Sequence, residues 1–134
     1  MEFHDLNAQY RALKPQIDGR LAAAIGTGHF IQGAQVRELE DKLAVYTGRK
    51  HCVCCGNGTD ALVLALMAWG VGEGDAVYTA DFTYFASASC AAAVGATPIP
   101  VDIDPRTFNI DPDALEDAIK RTLSEGKLKP AVLI

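Results

Sequence analysis

The sequence predicts an α/β fold, with a mostly parallel sheet covered by helices, and three observations predict it. Short apolar runs bounded by glycine or proline alternate with longer segments whose apolar residues recur every three or four positions. One run, ending at Cys54-Cys55, breaks on Gly56-Asn57-Gly58 and passes at once into a helix pattern, the strand, tight turn and helix start of such a fold. The last run, Ala131-Val132-Leu133-Ile134, is apolar throughout, as a buried strand requires.

From Tyr10 to about Thr27, Leu13, Ile17, Leu21, Ala24 and Ile25 keep helical spacing with Arg11, Lys14, Asp18 and Arg20 between them. This predicts an amphipathic helix starting near Pro15 or a turn earlier and stopped by Gly26-Thr27-Gly28. His29-Phe30-Ile31-Gln32-Gly33 reads as an irregular apolar loop; it either packs against another subunit or over a site, or folds Phe30 and Ile31 back on their own core. Ala34 to Thr47 predicts a second helix with Val36, Leu39, Leu43, Ala44 and Tyr46 inward, ended by Gly48. Arg49-Lys50 leads into a predicted strand over His51 to Cys55. The helix from Thr59 to Trp69 has no charge after Asp60, so burial on several sides is expected, which would hold its first turn rigidly.

Beyond the polar, glycine-rich Gly70 to Asp75, Ala76-Val77-Tyr78-Thr79 predicts a short strand. Asp81-Phe82-Thr83-Tyr84-Phe85 then opens a helix of small residues from Ala86 to about Val94, closed by Gly95. The prolines of Thr97-Pro98-Ile99-Pro100-Val101 place that strand at an edge or an irregular end. Asp102 to Pro105 turns, and Asp111-Pro112 supplies an N-cap and first-turn proline for a helix carrying Leu115, Ala118, Ile119 and Leu123. Ser124 to Pro130 reads as a loop before the last strand.

A chain of 134 residues suits one domain. At 49% hydrophobic and 22% charged it is globular in character, and a net charge of −5 with a pI near 5.0 argues against general binding to nucleic acid or anionic membrane. The start, Met1-Glu2-Phe3-His4-Asp5, carries acids where a signal peptide carries basic residues, and no apolar run reaches the ~18 to 20 residues of a membrane span; a cytoplasmic location is expected. Cysteines 52, 54, 55 and 90 do not fit paired zinc-ligand spacings, so no metal site is expected and the four read as core residues in a reducing compartment.

Two readings of the turn before the third helix stand side by side. The first turn of a helix leaves about four backbone N–H groups unpartnered at the positive end of its dipole, and glycines let a ligand approach, so a phosphate is a natural guest. Equally, the glycines make the turn and Asn57 or Thr59 caps the helix. Because this turn and Asp81 to Phe85 both follow predicted strands, they can face one pocket, with a phosphate on the first and a flat ring on an aromatic of the second; for Tyr84 the competing reading is core packing. Gly56-x-Gly58-x-x-Ala61, with Asp81 about ~20 residues on, also satisfies a dinucleotide fingerprint for NAD(P), although two helices precede it where that fingerprint commonly opens its domain.

Five segments occur in order: Met1-Glu2-Phe3-x-Asp5-Leu6; Gly28-His29-Phe30-Ile31-x-Gly33; Asn57-Gly58-Thr59-Asp60-Ala61-Leu62; Phe82-Thr83-Tyr84-Phe85-Ala86-Ser87-Ala88; and Val101-Asp102-Ile103-Asp104-Pro105-x-Thr107-x-Asn109-Ile110-Asp111-Pro112. Together they resemble the N-terminal third of a DegT/DnrJ/EryC1/StrS-type sugar aminotransferase, over essentially the whole chain. The resemblance implies the aspartate aminotransferase-like large domain (pyridoxal phosphate fold type I), N-terminal portion only. Residues 1–50 would be its helical segment and residues 51–134 its first strand-helix units, with the remainder of the large domain and a C-terminal small domain absent from this chain.

The resemblance further implies pyridoxal 5'-phosphate as cofactor. Main-chain groups of Gly58, Thr59 and Asp60 with the Thr59 hydroxyl would hold its phosphate, Tyr84 would stack on its ring, and the His29 to Gly33 loop would lie near the active sites of a homodimer. The implied reaction moves an amino group from glutamate to a nucleotide-linked keto-sugar. The opening segment and the Gly126-Lys127-Leu128-Lys129-Pro130 loop narrow this to UDP-linked N-acetylamino sugars of polysaccharide synthesis. In the family the covalently bound lysine and the acid facing the pyridine nitrogen lie after the point where this chain stops; Lys120, Lys127 and Lys129 do not match the catalytic motif, so no catalytic residue is assigned and the 134 residues alone are expected to be inactive. A non-catalytic, truncated protein that binds phosphate compounds or dimerises is the remaining alternative.

Overall fold

The computed structural model describes residues 3–134; Met1 and Glu2 of the opening segment lie outside the described residues. The chain forms two compact units, one ending at Cys54 and one from Cys55 to Ile134.

The first unit holds α1 (Leu6–Thr27) and α2 (Ala34–Thr47). α1 starts earlier than its apolar spacing indicates because Asp5 caps it, accepting from Ala8 N at 2.8 Å. Pro15 therefore sits inside the helix. Gly28 (φ 67°) and Gly48 (φ 67°) end the two helices in the left-handed conformation that glycine adopts without a Cβ penalty. An ion pair links the helices, Arg20 Nη2 to Glu38 Oε1 at 3.5 Å. Of these two helices only Ala44 is buried, and the apolar stripe of α1 lies at the surface.

The predicted strand over residues 51–55 does not form. A strand exists only where a neighbour accepts its hydrogen bonds, and among the described residues this segment has no ladder partner. The core role expected of the cysteines fails with it: Cys90 is fully buried, but Cys52 is half-buried and Cys54 and Cys55 are exposed.

The second unit runs α3 (Gly58–Ala68), β1 (Asp75–Ala80), α4 (Ala86–Ala93), β2 (Thr97–Val101), α5 (Pro112–Glu125) and β3 (Lys129–Leu133). The strands form a parallel sheet in the order β2-β1-β3, with Tyr78 opposite Ile99 on one side and Leu133 on the other. β1 is central and Ala76, Val77, Tyr78 and Thr79 are all buried. Successive side chains point to opposite faces. Val77 joins Leu66 of α3 and Cys90 and Ala91 of α4, whereas Ala76 and Tyr78 join Val101 and Ala118 of α5. The chain steps from β1 to β2 in one direction and from β2 to β3 in the other, so right-handed crossovers place α4 and α5 on opposite faces.

β2 lies at the sheet edge, where its prolines cost no ladder donors to a further strand. α5 is capped as expected, Asp111 accepting from Asp113 N at 2.8 Å and Ala114 N at 3.2 Å, and it reaches Glu125 before Gly126 ends it. The segment expected to be a loop up to Pro130 is thus mostly helix end and strand start.

Two expectations of burial are corrected. α3 buries only Leu66, leaving Met67 61% and Trp69 70% exposed, because α4 and the sheet cover one side of it. β3 alternates between half-buried and exposed residues, because its outer edge is open and a cavity of about 180 Å³ lined by Tyr78, Leu115, Ile119 and Leu133 runs beside it.

Candidate functional site

α3 packs beside α4 on one face of the sheet and its last turn leads through residues 69–74 into the start of β1. It therefore runs antiparallel to β1. α4 begins just after β1 ends and also returns towards the amino edge. The first turns of both helices consequently lie at the carboxyl edge of the sheet, where ligands bind in open α/β sheets.

At the start of α3, Asn57 is the N-cap: its Oδ1 accepts from Asp60 N at 2.9 Å and its Nδ2 donates to Asp60 Oδ2 at 3.1 Å. Asn57 O accepts from Ala61 N at 3.1 Å. The capping reading holds at one amide of this turn, and two others are left open. Asp60 N is taken by the cap, while the N–H groups of Gly58 and Thr59 have no protein acceptor among the described residues. Those two amides, at the positive end of the helix dipole, are donors for an anion.

A Cβ on Gly56 would stand 2.8 Å from Asp60 Oδ2, so the carboxylate would have to swing aside to admit one, whereas a Cβ on Gly58 would meet nothing within 4 Å. The Asp60 carboxylate folds back onto the Gly56 backbone.

The second wall is the segment after β1. Asp81 N donates to Val101 O at 3.0 Å, extending the pairing with β2 by one step. Tyr84 O accepts from Ser87 N at 3.0 Å and Phe85 O from Ala88 N and Ser89 N at 3.1 and 3.0 Å, so these carbonyls begin α4. Thr83 Oγ1 and Ser87 Oγ lie 3.2 Å apart. With its backbone held in this way, the Tyr84 side chain is 81% exposed, which excludes the core-packing reading in this unit. Phe82 and Phe85 are exposed beside it.

Two contributors have no clear signal in the sequence. Asn57 is more than the cap its position suggests, because it also steers the Asp60 carboxylate. Phe108, from the segment after β2, contacts Phe82 with ring centroids 5.7 Å apart, and no spacing in the sequence links these two positions. In that segment Arg106 donates to Asp104 from its guanidinium (2.8 Å, Nη2 to Oδ2) and its main chain (2.7 Å), which holds the Asp104 carboxyl below the usual aspartate range. In the first unit Phe30 and Ile31 face solvent and do not fold back on a core, Ile31 being 87% exposed.

Among the described residues there is no cluster of three His, Cys, Asp or Glu side chains that could hold a metal ion, and no helix is long and apolar enough to cross a membrane. The strand that a dinucleotide fingerprint needs before its glycines is not formed by residues 51–55.

Against known proteins, residues 12–126 match the model of the DegT/DnrJ/EryC1/StrS aminotransferase family. A UDP-2-acetamido-2-deoxy-3-oxo-D-glucuronate aminotransferase from Pseudomonas aeruginosa is 50% identical over 119 residues, which is 89% of this chain and 33% of the relative. The crystal structure of a DegT DnrJ EryC1 StrS aminotransferase from Brucella abortus superposes with a TM-score of 0.94 at 41% identity, covering 99% of this chain and 36% of that one. DesV from S. venezuelae superposes with a TM-score of 0.82 at 29% identity, covering 98% and 41%. The chain thus spans about a third of the length of the relatives it matches, and its α/β architecture is the corresponding part of their fold. With the fold, the motif-bearing turns and the match over residues 12–126 in agreement, the chain belongs to the DegT/DnrJ/EryC1/StrS aminotransferase family.

Proposed function

We propose that the full-length protein bearing this sequence is a pyridoxal-phosphate-dependent aminotransferase that moves an amino group from glutamate to a nucleotide-linked keto-sugar. The substrate class is a UDP-linked N-acetylamino sugar of polysaccharide synthesis, by analogy with the Pseudomonas aeruginosa relative, a UDP-2-acetamido-2-deoxy-3-oxo-D-glucuronate aminotransferase. The observation that carries the reading is the pair of unpartnered amides at Gly58 and Thr59 in the first turn of α3, with the exposed Tyr84 ring just before the neighbouring α4.

The donor set fits a phosphate monoester joined to a flat ring. Gly58 N–H and Thr59 N–H are main-chain donors held by the helix start, the Thr59 hydroxyl is a short side-chain donor on the same turn, and a Cβ at Gly58 would meet nothing within 4 Å. Asp60 contributes through its place in the first turn, its amide being engaged by Asn57. The Asn57 bonds keep its carboxylate turned onto Gly56, which limits repulsion of a second anion. Tyr84 offers a ring face on a backbone fixed by the start of α4. Bound here, the cofactor supplies an electron sink for the C–H bond broken next to the transferred nitrogen.

In this proposal residues 1–50 form a helical segment and residues 51–134 the first strand-helix units of the cofactor-binding domain. The lysine and the acid that face the cofactor belong to the rest of the protein, so the 134 residues alone bind without transaminating. Phe30 and Ile31 pack against the second subunit of a homodimer, which accounts for their exposure here. The enzyme works in the cytoplasm, where nucleotide sugars are made.

The purified full-length protein is expected to show a pyridoxal absorbance that borohydride fixes to one lysine and that glutamate converts to the pyridoxamine form. Binding of NAD with no affinity for pyridoxal phosphate would overturn the proposal.

A further inference from the structure

We infer that Phe108, through its ring contact with Phe82, is a positioning residue that sets the orientation of the Tyr84 ring against the cofactor; this rests on the stacking role proposed above for Tyr84.

The segment from Asp81 to Phe85 is short, exposed and outside both helix and strand up to Tyr84. Its downstream side is fixed, because Tyr84 O accepts from Ser87 N at 3.0 Å. Its upstream side has a backbone tie, Asp81 N to Val101 O at 3.0 Å, and two side-chain ties, Thr83 Oγ1 to Ser87 Oγ at 3.2 Å and the Phe82 ring against Phe108 at 5.7 Å and 45°. A tilted aromatic pair at this separation is attractive. With Phe82 held on one side and Thr83 and Tyr84 tied to Ser87 on the other, the backbone that carries the Tyr84 ring is anchored at both ends, and its upstream anchor moves with Phe108.

Phe108 is itself built into place. Its φ of 59° lies in the left-handed region that a bulky residue rarely enters. The surrounding turn enforces that conformation: Asp104 O accepts from Phe108 N at 2.8 Å and Thr107 N at 3.2 Å, and Asn109 O accepts from Asp104 N at 2.9 Å. The flanks close with the Ile103–Ile110 bridge and Asp111 N to Asp102 O at 3.0 Å. An asparagine or glycine would satisfy this backbone without strain, so the turn alone gives no reason for a phenylalanine; the contact with Phe82 does. Because Phe108 remains 60% exposed, its ring adds little to a core and its removal leaves the fold intact.

The test uses the full-length protein with pyridoxal phosphate and no substrate, reading the dissociation constant and the circular dichroism induced in the cofactor band. Tyr84→Leu is expected to loosen the cofactor by roughly tenfold or more and to abolish most of the induced signal. Phe108→Leu and Phe82→Leu are each expected to loosen it by about threefold to tenfold and to weaken the signal, with the melting temperatures of the cofactor-free proteins unchanged and the double variant no worse than either single one. Phe108→Tyr keeps the ring and should restore both readings. If Tyr84→Leu loosens the cofactor while Phe108→Leu and Phe82→Leu match the wild type, or if Phe108→Tyr fails to rescue, the stacking role stands and the positioning role of Phe108 is overturned. A silent Tyr84→Leu removes the stacking role and this inference with it.

Discussion

The two units of the chain differ in how their helices are held. In the first, α1 and α2 are long, ended by left-handed glycines, and laced by local ion pairs, yet they bury only Ala44. In the second, α4 is the shortest helix among the described residues, with no side-chain cap, yet Ala86, Cys90 and Ala91 are buried. The difference teaches that capping and spacing are enough to make a helix, while burial comes from a sheet that offers two faces. β1 does this because every one of its central residues meets a neighbour, on one face or the other.

The sharpest way to break this contrast is to empty one apolar site in each unit. Leu66→Ala, at a fully buried position, is expected to lower the unfolding free energy by about 2–5 kcal/mol, whereas Leu13→Ala on α1 should cost less than about 0.5 kcal/mol, both read by urea denaturation. Equal losses would show that the first unit carries a core of its own.

A smaller effect is expected at the helix caps. Asp111→Ala should cost about 1 kcal/mol in global unfolding, because α5 is packed on the sheet through Ala118. Asp5→Ala removes the equivalent bond from α1, where amide exchange at Ala8 should speed up with no change in the global midpoint.

The smallest effects are protonic. Arg106 holds Asp104 below its ordinary 3.8, and Lys42, with Arg20 beyond it, holds Glu38 below its ordinary 4.5. A carboxyl depressed in the folded state favours folding above its ordinary value, and that contribution is lost as the pH falls through the lowered value. Both side chains are surface groups, so the expected change in stability is slight and the titration itself is the measurement. NMR should show Arg106→Ala raising Asp104 towards 3.8, with Glu38 in the other unit unmoved.

What was legible in the residues follows the same division. The bounds of α2, the cap of α5 and the open amides at Gly58 and Thr59 all depend on groups within a few residues of one another, and all could be read from the chain. The strand over residues 51–55, the burial of Cys54 and Cys55 and the full covering of α3 were read from apolar character and did not form, because apolar character states a demand for partners without supplying them. The Phe82–Phe108 contact was invisible for the opposite reason: it joins the ends of two neighbouring strands and leaves no periodic trace.

The sequence by itself determined where α2 starts and stops and how α5 is capped, that strands and helices alternate, and that a helix begins near Thr59 with donors to spare, since each follows from short-range hydrogen bonding and the shape of single residues. Only the tertiary structure decided that β1 is central, that α4 and α5 take opposite faces, that Asn57 claims one of the three amides, and that Tyr84 stands exposed on a segment tied to Phe108. Those outcomes depend on strand order and on the fixed hand of the crossovers, which bring together residues far apart along the chain and have no local signature.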